Sequence, residues 1–145
     1  MKHPSTAYLL GRLTVALDRA ADRLLQTQVG ISYKRFLFLT VLQQCGTVTQ
    51  HELAVALGYS DPAVSTMLVE LAKDGYLQTI LSPTHGRKHL VTITAHGSEM
   101  VMRGRDVLDT HFDQLTVIAG IDSYHLRDLA ERLYEALITK TQEQL

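Results

Sequence analysis

Between Ser60 and Thr94 the 145-residue chain changes its period, and that change constrains the fold more than any other feature. Ser60 suits a helix N-cap and Pro62 a first helical turn; Val64, Met67, Leu68 and Leu71 then recur at three- and four-residue intervals. These four residues are read as core. Gly75 suits a helix C-terminus. Beyond it, Tyr76–Leu81 and His89–Thr94 alternate and are rich in β-formers. Between them lies Ser82-Pro83-Thr84-His85-Gly86-Arg87-Lys88, a turn-rich stretch with a basic end. A helix running into a hairpin with a polar, partly basic tip is the predicted arrangement.

The flanking segments are helical. Ser5 to Gln28 places Leu9, Leu13, Ala16, Leu17, Ala20, Leu24 and Leu25 at helical spacing. Ser32 caps a second helix, Tyr33 to Gln44, that stops near Gly46. Thr49-Gln50-His51-Glu52 is a capping box, and it opens a short third helix running through Leu57 to Gly58. Thr94 caps a long helix from Ala95 to about Ile118, and Asp122 or Ser123 caps the last one. The predicted fold class is mainly α with a small β-hairpin wing: a winged helix-turn-helix with N- and C-terminal dimerisation helices. Leu9 and Leu13, with Leu126, Leu129, Leu133 and Leu137, form stripes that so small a middle lobe cannot cover. Pairing with a second copy is the economical way to bury them. A single domain, 1–145, is expected, with 32–94 as the lobe and 1–31 and 95–145 as dimerisation helices.

Composition narrows the function classes. Hydrophobic residues at 46% and charged residues at 20% are the balance of a soluble globular protein. There is no apolar run of about 20 residues to span a bilayer, and no clean signal-peptide core, so no membrane role and a cytoplasmic location are expected. The single Cys45 excludes an internal disulfide framework and a cysteine zinc cage, and is read as a small packed residue. No two of the seven histidines stand one turn apart on a predicted helix, so no metal is expected. No nucleophile elbow and no phosphate-binding glycine loop appear, so neither catalysis nor a cofactor is expected. Net charge is −1, unevenly spread: residues 1–31 carry +2, 32–94 carry +1 and 95–145 carry −4. Acidity gathers at the C-terminal end, which leaves room for a locally positive face elsewhere.

The run Thr49-Gln50-His51-Glu52-Leu53-Ala54-Val55-Ala56-Leu57-Gly58-Tyr59-Ser60 is followed by Ala63-Val64-Ser65, by Leu71-Ala72-Lys73-Asp74-Gly75-Tyr76, and by Arg87-Lys88-His89-Leu90-Val91-Thr92-Ile93-Thr94-Ala95-His96-Gly97. In order and spacing these resemble the MarR family (multiple antibiotic resistance regulator-type transcription factors), and the likeness covers nearly the whole chain. The resemblance implies a homodimer clasped by its terminal helices, a recognition helix in the major groove of double-stranded DNA, and a wing whose basic tip reaches the minor groove. It also implies a small, often aromatic effector held between the dimer helices and the lobe. No motif fixes that pocket: Tyr8, Tyr33, Phe36 and Phe112 suit it and the core alike. The expected function is a ligand-responsive repressor on a palindromic operator.

Candidate DNA contacts are Ser60, Asp61, Ala63, Ser65, Thr66 and Lys73 on the recognition helix, and His85, Arg87 and Lys88 on the wing. Lys34, Arg35, Thr49 and Gln50 are candidate phosphate contacts. Short hydroxyl side chains can approach base edges and phosphates, and arginine suits a narrow, electronegative minor groove. The chain departs from the family pattern twice. Thr66 and Glu70 stand where relatives are often basic, so guanine readout by a recognition-helix arginine is not available. His85 stands where the family's wing usually carries an aspartate thought to brace its arginine; a histidine there braces more weakly and with pH. Affinity is therefore expected to depend on Arg87-Lys88, backbone donors and dimer spacing. The alternative, suggested by the acidic residues on the recognition helix, is a dimeric interaction protein of the same fold that has lost DNA binding.

Overall fold

A computed structural model describes residues 3–143. The elements run α1 (Thr6–Gln28), α2 (Tyr33–Cys45), β1 (Val48–Thr49), α3 (Gln50–Leu57), α4 (Asp61–Lys73), β2 (Leu77–Leu81), β3 (His89–Ile93), α5 (Ala95–Ala119) and α6 (Ser123–Glu143). The predicted caps are formed. The hydroxyls of Ser5, Ser32 and Ser60 accept from Tyr8, Arg35 and Ala63, and Thr49 and Glu52 close their capping box in both directions. Thr94 accepts from Gly97 N–H at 3.1 Å, and Asp122 rather than Ser123 caps α6, accepting from His125 N–H at 2.7 Å. Gly75, at φ +78°, turns the chain out of α4 as Tyr76 N–H reaches back to the Leu71 carbonyl.

The hairpin gains a third strand. The sheet order is β1-β3-β2, antiparallel, with Val48 opposite Val91 and Leu77 opposite Ile93. β1 escapes a periodicity scan because it is two residues long and Thr49 also serves as the cap of α3. Its effect is to fix the wing's central strand to the start of the helix-turn-helix.

The chain divides into two compact units, Met1–Leu108 and Asp109–Leu145. The division falls inside α5. The first unit holds a continuous core: Leu25 and Ile31 from the α1 end, Phe36, Phe38, Leu39 and Leu42 from α2, Leu53 from α3, Val64, Leu68 and Leu71 from α4, Leu77 and Val91 from the sheet, and Met100 and Val101 from α5. Burial of each such side chain contributes about 1.5–3 kcal/mol before the entropy cost of ordering it. Two glycines explain why early α5 belongs here. A Cβ on Gly97 would lie 2.0 Å from the Tyr76 carbonyl oxygen, and one on Gly104 would lie 2.6 Å from the Phe36 ring. Only glycine permits either approach.

In the second unit, α6 has no buried side chain among the described residues. Leu129, Leu133 and Leu137 are exposed, and Leu126 is half-buried. In the first unit, Leu9 and Leu13 on α1 are likewise exposed.

Candidate nucleic-acid interface

The candidate interface is built on α3, α4 and the β2–β3 loop, all within the first unit. α4 exposes Asp61, Ala63, Ser65, Thr66 and Lys73 while Val64, Leu68 and Leu71 face the core. This is the one-sided pattern of an amphipathic helix. Ser60 is occupied as a cap, its Oγ accepting from Ala63 N–H at 3.4 Å. The Thr66 hydroxyl donates to the Pro62 carbonyl at 3.1 Å, which leaves its lone pairs as acceptors. Ser65 is exposed, and Lys73 lies exposed in the last turn.

α3 and α4 are linked at their N-termini. Gln50 Nε2 donates to the Asp61 carbonyl at 3.3 Å, and His51 Nδ1 lies 3.4 Å from Asp61 Oδ1. Asp61 thus has a histidine beside it that sequence reasoning did not pair with it. Thr49 is committed to Glu52: its backbone N–H and its hydroxyl both donate to Glu52 Oε2, at 2.7 and 2.9 Å. Those two bonds hold the Glu52 carboxyl below its ordinary pKa, with Lys88 and His51 adding nearby positive charge. The β1–β3 pairing, with Thr49 opposite Leu90, brings the end of the wing loop near the first turn of α3.

The two α2 cations are engaged within the protein. Lys34 Nζ sits 5.5 Å from the centroid of the Tyr59 ring. The Arg35 guanidinium pairs with Asp74 and lies 5.9 Å from the Tyr76 ring centroid, and its Nε is buried without a hydrogen-bond partner among the described residues. Arg35 therefore joins α2 to the C-terminal end of α4, a link invisible in a sequence where the two residues stand 39 positions apart. Tyr76 in turn stacks on His96 at 4.9 Å. His85, Arg87 and Lys88 are exposed on the wing loop. Cys45 is exposed at the end of α2, a correction to the packed position expected from its residue type; it falls in the last turn, past the inward-facing Leu42. Among the described residues, no group of three or more His, Cys, Asp or Glu side chains is placed to hold a metal ion. No helix there is long and apolar enough to cross a membrane.

Residues 29–88, the span from the end of α1 into the wing loop, match the sequence profile of the MarR family. That span is the part of the chain similar to the MarR family. An HTH-type transcriptional regulator of Mycobacterium leprae is 29% identical over 103 residues, covering 70% of this chain and 72% of that protein. A mutant of Escherichia coli MarR superposes with a TM-score of 0.78 at 20% identity, covering 94% of this chain and 99% of that one. The transcriptional regulator BldR of Sulfolobus solfataricus gives 0.75 at 17% identity, covering 92% of each chain. A mutant E. coli MarR complexed with operator DNA gives 0.68 at 23% identity, covering 88% of this chain and 93% of that one. The structural likenesses are likenesses of fold, and they give this chain the fold of MarR-type transcription regulators.

Proposed function

We propose that this chain is a sequence-specific DNA-binding transcriptional regulator: a cytoplasmic homodimer that represses from a palindromic operator and releases it when a small molecule binds. The observation that carries the proposal is the exposed first half of α4, with Ser65 and Thr66 outward, in the same lobe as the exposed Arg87-Lys88 wing. α4 supplies a helix for the major groove, with backbone donors at its N-terminus. The wing supplies cations for phosphate and the minor groove. The exposed leucines of α1 and α6 support the homodimer, and two-fold symmetry would pair two recognition helices with half-sites about one helical turn apart. A ligand that changed that spacing would change affinity.

The second reading, an interaction protein that does not bind DNA, is favoured by the engagement of Arg35 with Asp74 and by the exposed acids Asp61 and Glu70 on α4. Salt separates the two. A regulator making phosphate contacts loses affinity for duplex DNA as salt rises, with a log–log slope near −0.9 per phosphate neutralised. With the DNA lying next to its gene as probe, a slope of about −2 or steeper across the homodimer is expected, and Arg87→Ala should shallow it. Absence of any salt-sensitive binding would favour the interaction protein.

A further inference from the structure

The tip of the wing, residues 83–88, is exposed throughout, yet it springs from a buried residue: Ser82 is only 8% exposed. Its backbone N–H and its hydroxyl are both in use. The backbone N–H donates to the Lys88 carbonyl at 2.7 Å, one step beyond the last ladder pair, Leu81 opposite His89. The hydroxyl accepts from His85 N–H at 3.3 Å and Thr84 N–H at 3.4 Å, and lies 3.2 Å from Thr84 Oγ1. Lys88 N–H meanwhile donates to the His85 carbonyl at 2.9 Å, closing a four-residue turn, His85-Gly86-Arg87-Lys88. Arg87 occupies the third position of that turn. Ser82 thus grips the turn at both ends, His85 through its hydroxyl and Lys88 through its backbone. His85 enters this arrangement through its N–H and its carbonyl.

Building on the regulator function proposed above, we propose that Ser82 is the positioning residue for Arg87: its hydroxyl pre-sets the turn so that the guanidinium is delivered to DNA without first ordering the loop. Ordering a free loop on binding costs affinity, and a serine hydroxyl that takes up two loop N–H groups removes part of that cost. A serine two or three residues ahead of the groups it holds is a local turn device that needs no carboxylate at position 85.

The test has two arms. In the free protein, the amides of Thr84 and His85 should exchange slowly with solvent deuterium and lose that protection in Ser82→Ala. Rapid exchange in the wild type would overturn the proposal and leave the DNA-binding function untouched. In the second arm the probe is a duplex selected from a random pool by the wild-type protein. Ser82→Ala should weaken binding about tenfold, the equivalent of one lost hydrogen bond, with an unchanged melting temperature. Ser82→Thr, which keeps a hydroxyl, should restore most of it. In an Arg87→Ala background the same Ser82→Ala change should cost little more, because a residue acting through Arg87 is not additive with it. Equal losses in the two backgrounds, or no loss, would overturn the proposal. If Ser82→Ala lowers the melting temperature, Ser82→Thr against Ser82→Val isolates the hydroxyl at constant shape, with the same outcomes required. A wild-type protein that selects no duplex defeats the regulator function and the DNA role of Ser82 together.

Discussion

The leucines of α2 and those of α6 have opposite fates. Leu39 and Leu42 are fully buried in the first unit, while Leu129, Leu133 and Leu137 are exposed along a helix with no buried side chain among the described residues. Residue type and spacing are similar in the two helices. What differs is the number of independent surfaces that meet them. α2 is enclosed by residues from α1, α3, α4, the sheet and early α5, which together make one closed core. The lobe can therefore be stable through its own contacts, whereas the α6 stripe is apolar surface that this core does not cover.

The sharpest way to break that contrast is to cut into the closed core. Leu39→Ala should cost about 2–5 kcal/mol in urea unfolding, the range for a buried leucine that leaves a cavity. A cost below 1 kcal/mol would mean that the core is looser than its burial implies. Next comes Gly97→Ala, which forces a methyl against the Tyr76 carbonyl and should destabilise by about 1–3 kcal/mol. A neutral Gly97→Ala would show that early α5 is free to shift off the lobe.

A smaller effect is expected at the capping box. The Glu52 carboxyl has a lowered pKa when folded, so its contribution is present above the unfolded value, near 4.3, and is lost as pH falls through the folded one. Glu52→Ala should flatten the acid limb of the stability curve, followed by unfolding at a series of pH values below about 5. An unchanged limb would place the acid sensitivity elsewhere. The smallest effect on the lobe itself should come from Leu133→Asp. At protein concentrations where the wild type is monomeric, it should move the unfolding free energy by less than about 0.5 kcal/mol. Sedimentation at higher concentration should nonetheless show the proposed homodimer much weakened. A large loss in the monomer would mean that α6 is part of a closed core after all.

Much of this architecture is local and therefore legible in sequence. Ser5, Ser32, Thr49, Ser60 and Thr94 announce their helices because a cap and the groups it satisfies lie within four residues of each other. The wing is legible because Gly75 and the Ser82–Lys88 turn residues bracket two alternating runs. The rest depends on residues that meet only after folding. β1 borrows its regularity from β3. Arg35 finds Asp74 and Tyr76 across the lobe, so a cation that looks available for phosphate is engaged internally. His51 meets Asp61 only because α3 and α4 bring their N-termini together. In the candidate interface, exposure of Ser65, Thr66, Arg87 and Lys88 follows from their place in the pattern. The grip of Ser82 does not, because a serine in a turn-rich stretch has many possible partners and only the folded loop selects among them.

The glycine contacts of α5 have a practical consequence for anyone exchanging parts between proteins of this shape. A winged-helix lobe transplanted with its end at Thr94 would leave behind Gly97, Met100, Val101 and Gly104, and would carry Phe36 away with part of its cover missing. The natural seam for a chimera lies near residue 108, in mid-helix, where a graft can be spliced in helical register without opening the core.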